Sequence, residues 1–445
     1  MMHRFARNLL IACAICFVAP CQLNAQYPFG KNKVLYAPKD WKLLQTAHVD
    51  IYYYPDELRV AQFIAALADS VYDEYASFFV VEFENRIPVI LYGTHHDFKE
   101  TNVIPNFIPE SVAGFTEFIK GRIALPFTGS YPKLRKVFRH ELTHEFMLNK
   151  LHVVMSERKH PNYNEPPLWF VEGLAEFAAN RGTNTEAHMF LRDAVTGDLL
   201  SPLPDMWRID GTFLMYKEGE SAVQYIANRF GENSIRLILE NWWKSDRFDL
   251  VLEKTIGISV KRLSDDWEEF LRRRYYPSIM ERRKIDEIGK ALVEGEAAFE
   301  IYPACDPAAG KGSRVFCVGY NRGSIDILEL VTGDQGQGRE RIFIRGGQKS
   351  DFESIPPLSS RISLRGDTLL FVSKAGAQDA VYLYDVARRR IIKKFSIPVA
   401  RVLSSPTLSP DGRSVAFSAM DGFGKSDLFV YDLASDSYER LTDDY

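Results

Sequence analysis

Two hydrophobic rhythms interleave along most of this chain, and the shorter one takes over toward its end. Residues 48–54 (HVDIYYY) and Ile87–Tyr92 (IPVILY) read as strands, the second bounded by Gly93. Between them, over residues 55–79, Val60, Phe63, Ile64, Leu67, Val71, Tyr75 and Phe78 fall on one stripe and predict an amphipathic helix. Residues 113–117 and 121–126 predict a hairpin, which feeds a helix that Ser130 can cap and Pro132 can open. In that helix Leu134, Val137, Phe138, Leu142, Phe146 and Leu151 recur at helical spacing. Another helix follows Pro166 and Pro167. Residues 185–276 read as helical throughout, with segments at 215–230, 234–244, 248–255 and 260–274. The class is α+β: a mixed-sheet lobe, then a helical lobe.

Residues 277–312 hold prolines, glycines and mixed charge, and read as a linker. Beyond them, over 313–445, short alternating strands recur. Residues 314–319, 369–374 and 415–419 each open a similar unit, followed by second strands at 325–330, 380–385 and 427–432 that end in acidic turns. A period of about 50 residues is that of propeller blades, and a closed propeller needs four or more, so an incomplete all-β propeller is expected here.

The N-terminus has a different character. Arg4 and Arg7 precede an apolar run over residues 9–20, and Leu23-Asn24-Ala25 offers a small-residue cleavage site, the layout of an export signal over residues 1–25. The run is too short to span a bilayer. A lipoprotein signal ending at Cys21 is the weaker alternative, because Pro20 precedes it poorly. Cleavage removes two arginines and no acids, so the balance becomes 53 − 59 = −6, which gives no reason to expect nucleic acid. Cys305 and Cys317 remain, able to pair in an oxidising compartment or to sit as separate buried thiols.

The candidate chemistry lies in Arg139-His140-Glu141-Leu142-Thr143-His144. Residues four apart share a helical face, so His140 and His144 can present two imidazoles to one ion. Glu141 beside them can take a proton from the water at the ion's open position. Zinc then wants another side chain. Glu172 and Glu176, four apart in an otherwise apolar helix with Trp169, Phe170, Leu174 and Phe177, suit a third ligand and a carboxylate that supports a ligand from outside. The bland reading, a solvated acidic face, fits those neighbours badly. His95 and His96, at a strand end, read as a solvated turn. The basic run at 272–274 reads as a solvated helix end.

His-Glu-Leu-Thr-His followed by Trp169-x-x-Glu172-Gly173-x-Ala175-Glu176 resembles the gluzincin clan of zinc metallopeptidases, thermolysin and the metallo-aminopeptidases among them. The resemblance implies a thermolysin-like domain over residues 26–276, with His140, His144 and Glu172 as zinc ligands. It further implies Glu141 as general base, and Glu176 as the acid that hydrogen-bonds the first histidine. The 27 residues between His144 and Glu172 are more than is usual in those families, and residues 149–165 read as an inserted loop. Met215-Tyr216-Lys217-Glu218-Gly219 resembles the segment in which a tyrosine donates to the oxyanion, which makes Tyr216 the matching position. Residues 113–125 match the strand that binds substrate backbone. The aminopeptidase motif for a free N-terminus is absent, with Gly114-Phe115-Thr116-Glu117 a distant echo.

Leu408-Ser409-Pro410-Asp411-Gly412 and the strand after it resemble the repeat of TolB-like and dipeptidyl peptidase IV-like propellers. The reading is an exported, periplasmic or envelope zinc peptidase acting on a peptide or protein. Its propeller gates or presents substrate and leaves room for a partner protein. The alternative is an envelope binding protein or scaffold whose propeller does the work and whose peptidase domain is vestigial.

Overall fold

The computed structural model describes residues 38–443, apart from 105–107, 160–164, 183, 281, 284, 290–291, 293–298, 307, 309–313, 322–323, 332–337, 348–350 and 422–423. The segment read as an export signal lies outside the described residues. Among the described residues the chain is α+β with four sheets. In the first, β1 (Lys42–Gln45), β2 (Val49–Tyr53), β3 (Ile87–Tyr92), β4 (Phe115–Glu117) and β5 (Arg122–Pro126) stand in the order β1-β2-β3-β5-β4. β2, β3 and β5 run parallel, while β1 and β4 are antiparallel to their neighbours. The sequence pattern predicts four of these five strands and misses β1, an exposed edge strand that carries too little apolar signal to be seen.

Helix α1 (Leu58–Phe79) buries Val60, Ile64, Ala68, Val71, Tyr75 and Phe79. The short helix α2 (His95–Lys99) is capped by the Thr94 side chain, which accepts from the Asp97 amide. The two histidines read as a solvated turn are therefore helical. They are also partnered: His95 Nε2 is 3.0 Å from the Val112 carbonyl, and His96 Nε2 is 2.9 Å from Asp379. Helix α3 (Tyr131–Glu157) starts at the expected cap, Ser130. Its Phe146 sits among Tyr72, Tyr75, Phe79 and Phe83 at ring distances of 5.0–5.8 Å. Each buried aromatic there is worth roughly 1.5–3 kcal/mol, so the cluster pins α3 to α1. The residues after 149 are not an inserted loop at once. Leu151, Val154 and Met155 continue the buried stripe, and buried Lys150 pairs with Glu240 at 3.0 Å, which carries α3 on to Glu157.

The helical lobe comprises α4 (Leu168–Asn180), α5 (Thr185–Thr196), α6 (Phe213–Phe230), α7 (Asn233–Glu240), α8 (Phe248–Ile256) and α9 (Val260–Tyr275). The helix read over 234–244 ends at Glu240, and Trp242–Lys244 continue as a 3-10 turn. One apolar cluster runs from Val49 to Tyr275, so sheet lobe and helical lobe share a core. No helix among the described residues is long and apolar enough to cross a membrane.

Three antiparallel sheets of four strands follow in chain order. The first holds β6 (Phe299–Ala304), β7 (Val315–Asn321), β8 (Ser324–Val331) and β9 (Arg339–Arg345). The second holds β10 (Ser363–Arg365), β11 (Thr368–Ala375), β12 (Gln378–Asp385) and β13 (Arg390–Phe395). The third holds β14 (Val402–Leu408), β15 (Ser414–Met420), β16 (Ser426–Asp432) and β17 (Ser437–Arg440). The strand pairs expected from the repeat are the two middle strands of each sheet. β6 lies inside the stretch read as a linker and pairs with β7, so that linker is shorter than its composition suggests. The middle sheet is covered on both faces. Leu369, Phe371 and Tyr382 pack toward the first sheet, and Leu370, Val372 and Val381 toward the third. That is why β11 reads as an unbroken apolar run while β15 alternates. Cys305 and Cys317 form no disulfide with each other, and since Cys305 is exposed and Cys317 buried they are not two buried thiols either.

These sheets contact the mixed-sheet lobe through residues that follow β3, precede β4 and follow β5. Glu110 accepts from the amides of Leu358 (3.1 Å) and Ser359 (2.8 Å). The Phe127 ring lies against Gly424, where any side chain would collide with it. Asp379 is buried and accepts from the Leu403 amide at 3.0 Å with its second oxygen. Asp379→Ala should leave that amide and His96 unsatisfied and cost about 1–3 kcal/mol. An earlier urea transition of the β part would register the loss, and an unchanged one would contradict this account of the contact.

Candidate metal centre

The spacing of four on α3 puts His140 and His144 side by side, and α4 brings Glu172 to them. His140 Nε2 is 3.2 Å from Glu172 Oε2 and 3.2 Å from His144 Nε2, and His144 Nε2 is 3.4 Å from Glu172 Oε2. Among the described residues this is the group of such side chains whose donor atoms gather closely enough to hold one metal ion. Two donors about 2.0–2.1 Å from a tetrahedral zinc are roughly 3.3–3.4 Å apart, so the triangle fits such an ion. The donor set, two imidazoles and a carboxylate, also suits it.

The electrostatics ask for a positive charge at that point. Burial pulls His140 down, but hydrogen bonds to Glu172 and Glu176 and the charge of Glu141 outweigh it and raise its pKa to about 10. Burial pushes Glu172 up, yet hydrogen bonds from His140 and His144 hold its carboxyl well below the usual range. Three donors thus converge in a half-buried place where, lacking a cation, one of them must carry a proton.

Behind the triangle stands Glu176, buried, with Oε1 3.3 Å from His140 Nδ1. A histidine backed by a carboxylate keeps its other nitrogen free for a ligand role. His144 Nδ1 has no hydrogen-bond partner among the described residues. Glu141 lies beside the triangle and against the edge strand β4. The Thr116 hydroxyl lies 2.9 Å from Glu141 Oε2 and 3.0 Å from the Glu141 carbonyl oxygen, and donates to one of them. Burial raises the Glu141 carboxyl. Tyr216, on α6, stacks its ring 6.3 Å from that of His140. Burial, then the Glu172 carboxylate, pushes its hydroxyl far above its ordinary pKa, so it remains a donor.

All six residues singled out from the sequence therefore meet here: His140, Glu141, His144, Glu172, Glu176 and Tyr216. Others were not singled out. Arg139 grips Glu74 with both terminal guanidinium nitrogens (3.0 and 2.7 Å) and the Ala178 carbonyl (3.1 Å), which locks α3 to α1 and α4 one residue before His140. Thr116, Lys136, Lys217 and Asn180 also reach the site's carboxylates. The signal for Lys217 was its place beside Tyr216 in a buried stretch, where a lysine needs a partner.

Glycine brings α6 close enough. A Cβ on Gly173 would lie 2.4 Å from the Gly219 carbonyl carbon, and one on Gly219 would lie 2.3 Å from the Trp169 carbonyl oxygen. With no side chains there the helix backbones touch, and Tyr216, one turn before Gly219, meets Glu172, next to Gly173. Gly219→Ala should force α4 and α6 apart, costing roughly 1–3 kcal/mol as an overpacked core position does. A melting temperature equal to the parent's would contradict the contact.

No family model matches the chain, and no curated protein matches it. Among solved structures, a crystal structure of TolB from Acinetobacter baumannii is similar over 32% of this chain and 32% of its own, at 17% identity and a TM-score of 0.25. A likeness that weak and that partial assigns neither the fold nor the function of the chain.

Proposed function

We propose that the protein is an exported zinc metallopeptidase of gluzincin type that hydrolyses peptide bonds, with the three β-sheets as blades of a TolB-like propeller that gates or presents substrate. The observation that carries this reading is the donor triangle of His140, His144 and Glu172, with a carboxylate and a phenol on either side of it. Bound zinc supplies a Lewis acid that makes water acidic and polarises a carbonyl. The chain's own residues do the rest. Glu141 accepts the proton of the attacking water and returns it to the leaving amine, with its carboxylate oriented by Thr116. Tyr216 donates its hydroxyl to the oxygen that gains charge. Glu176 holds His140 by its far nitrogen. An extended substrate adds to β4, which stands at the end of its sheet beside Glu141. The consecutive four-stranded sheets, stacked face against face, support the propeller part of the proposal.

Glu141→Gln and Tyr216→Phe test the reading with a peptide library and zinc analysis. Both variants should keep the metal and the fold, since neither opens a cavity nor removes a ligand. Glu141→Gln should lose hydrolysis by about 10²–10⁴-fold. Tyr216→Phe should lower turnover by about 10²–10³-fold, with the Michaelis constant little changed, as for a contact made only in the transition state. Undiminished turnover in Glu141→Gln would sink the mechanism. A zinc-loaded parent that cleaves nothing would favour the scaffold reading instead.

A further inference from the structure

Glu176 does not hold His140 unaided. Its two oxygens have unequal surroundings. Oε1 faces His140 Nδ1 at 3.3 Å. Oε2 takes three nitrogen donors: Lys217 Nζ at 2.8 Å, Lys136 Nζ at 3.2 Å and Asn180 Nδ2 at 3.2 Å. Those donors come from α6, α3 and α4, so the three helices that carry Tyr216, the histidines and Glu172 all close on one carboxylate oxygen. Lys217 is 5% exposed; it also pairs with Glu186 at 3.2 Å, and buried Glu220 is near enough to feel its charge. Burying an ammonium is costly unless a partner compensates, and here the nearest partner is Glu176. A carboxylate clamped at one oxygen cannot turn, and its free oxygen stays aimed at the histidine.

We propose that Lys217, assisted by Lys136, is a positioning residue for the metal centre: it fixes Glu176, which fixes His140, and so sets the affinity for zinc. This rests on the metallopeptidase reading, through the assignment of His140 as a ligand. Lys217 touches no reacting atom. Its neighbour Tyr216 points into the site while Lys217 points behind it, so one turn of α6 serves both sides of His140.

The experiment is a double-mutant cycle read by zinc affinity, using competition with a chromophoric chelator on the full-length protein. Removing a partner that orients a ligand typically weakens metal binding 10–100-fold, so Glu176→Gln should fall in that range. Lys217→Met should weaken binding by about 10-fold, at the low end because it acts through Glu176. In the Glu176→Gln background Lys217→Met should change affinity little, since the route to His140 is already broken. Lys136→Met, whose side chain is 31% exposed, should show a smaller loss of the same kind and serves if Lys217→Met does not fold. Equal losses from Lys217→Met in both backgrounds would mean that Lys217 only glues helices together, and would overturn the inference alone. Unchanged affinity in folded Lys217→Met and Lys136→Met would do the same. A parent that binds no zinc would overturn both this inference and the reading beneath it.

Discussion

Two imidazole nitrogens and a carboxylate oxygen are held 3.2–3.4 Å from one another where α3 meets α4. Groups rich in lone pairs gather like this in a half-buried place only with a cation between them or a proton on one of them, because each loses water and repels the others. Much of the surrounding architecture enforces the approach. Phe146 and its aromatic neighbours fix one face of α3, and Arg139 ties the same helix to Glu74 and to the end of α4. The histidines are thus aimed by packing that lies on the far side of their own helix.

The glycine pair is the second constraint. Gly173 and Gly219 let α4 and α6 touch backbone to backbone, which carries Tyr216 to the triangle and Lys217 to its rear. Neither glycine has any chemistry of its own, yet both decide where the chemistry can stand. The shared core from Val49 to Tyr275 packs around the crossing, with Trp169, Phe170, Leu174, Met215 and Ala222 among its members.

The legible parts of the fold were those with a buried face. The stripe on α1, the strand Ile87–Tyr92 and the cap at Ser130 announced themselves, as did the middle strands of each β-sheet. Edge strands such as Lys42–Gln45 and Ser437–Arg440 are exposed and half polar, and no period marks them. The stretch after residue 149 misled because its surface is basic while its buried side still repeats as a helix. His96 misled for a related reason: its partner, Asp379, is 283 positions away, and nothing local announces such a pairing. At the site, the spacing of His140, His144, Glu172 and Glu176 was readable because helical geometry makes it local. Thr116, Arg139 and Lys217 depend on which helices and strands meet, and that is written in the packing.

The central claim is that His140, His144 and Glu172 are there to hold zinc. X-ray absorption at the zinc edge, on protein purified without added metal, tests it most directly. The account predicts one zinc per chain with nitrogen and oxygen neighbours at about 2.0–2.2 Å, the imidazole pattern of two histidines and no sulfur. A first shell containing sulfur at about 2.3 Å, or protein that carries no zinc and takes none up, would contradict it.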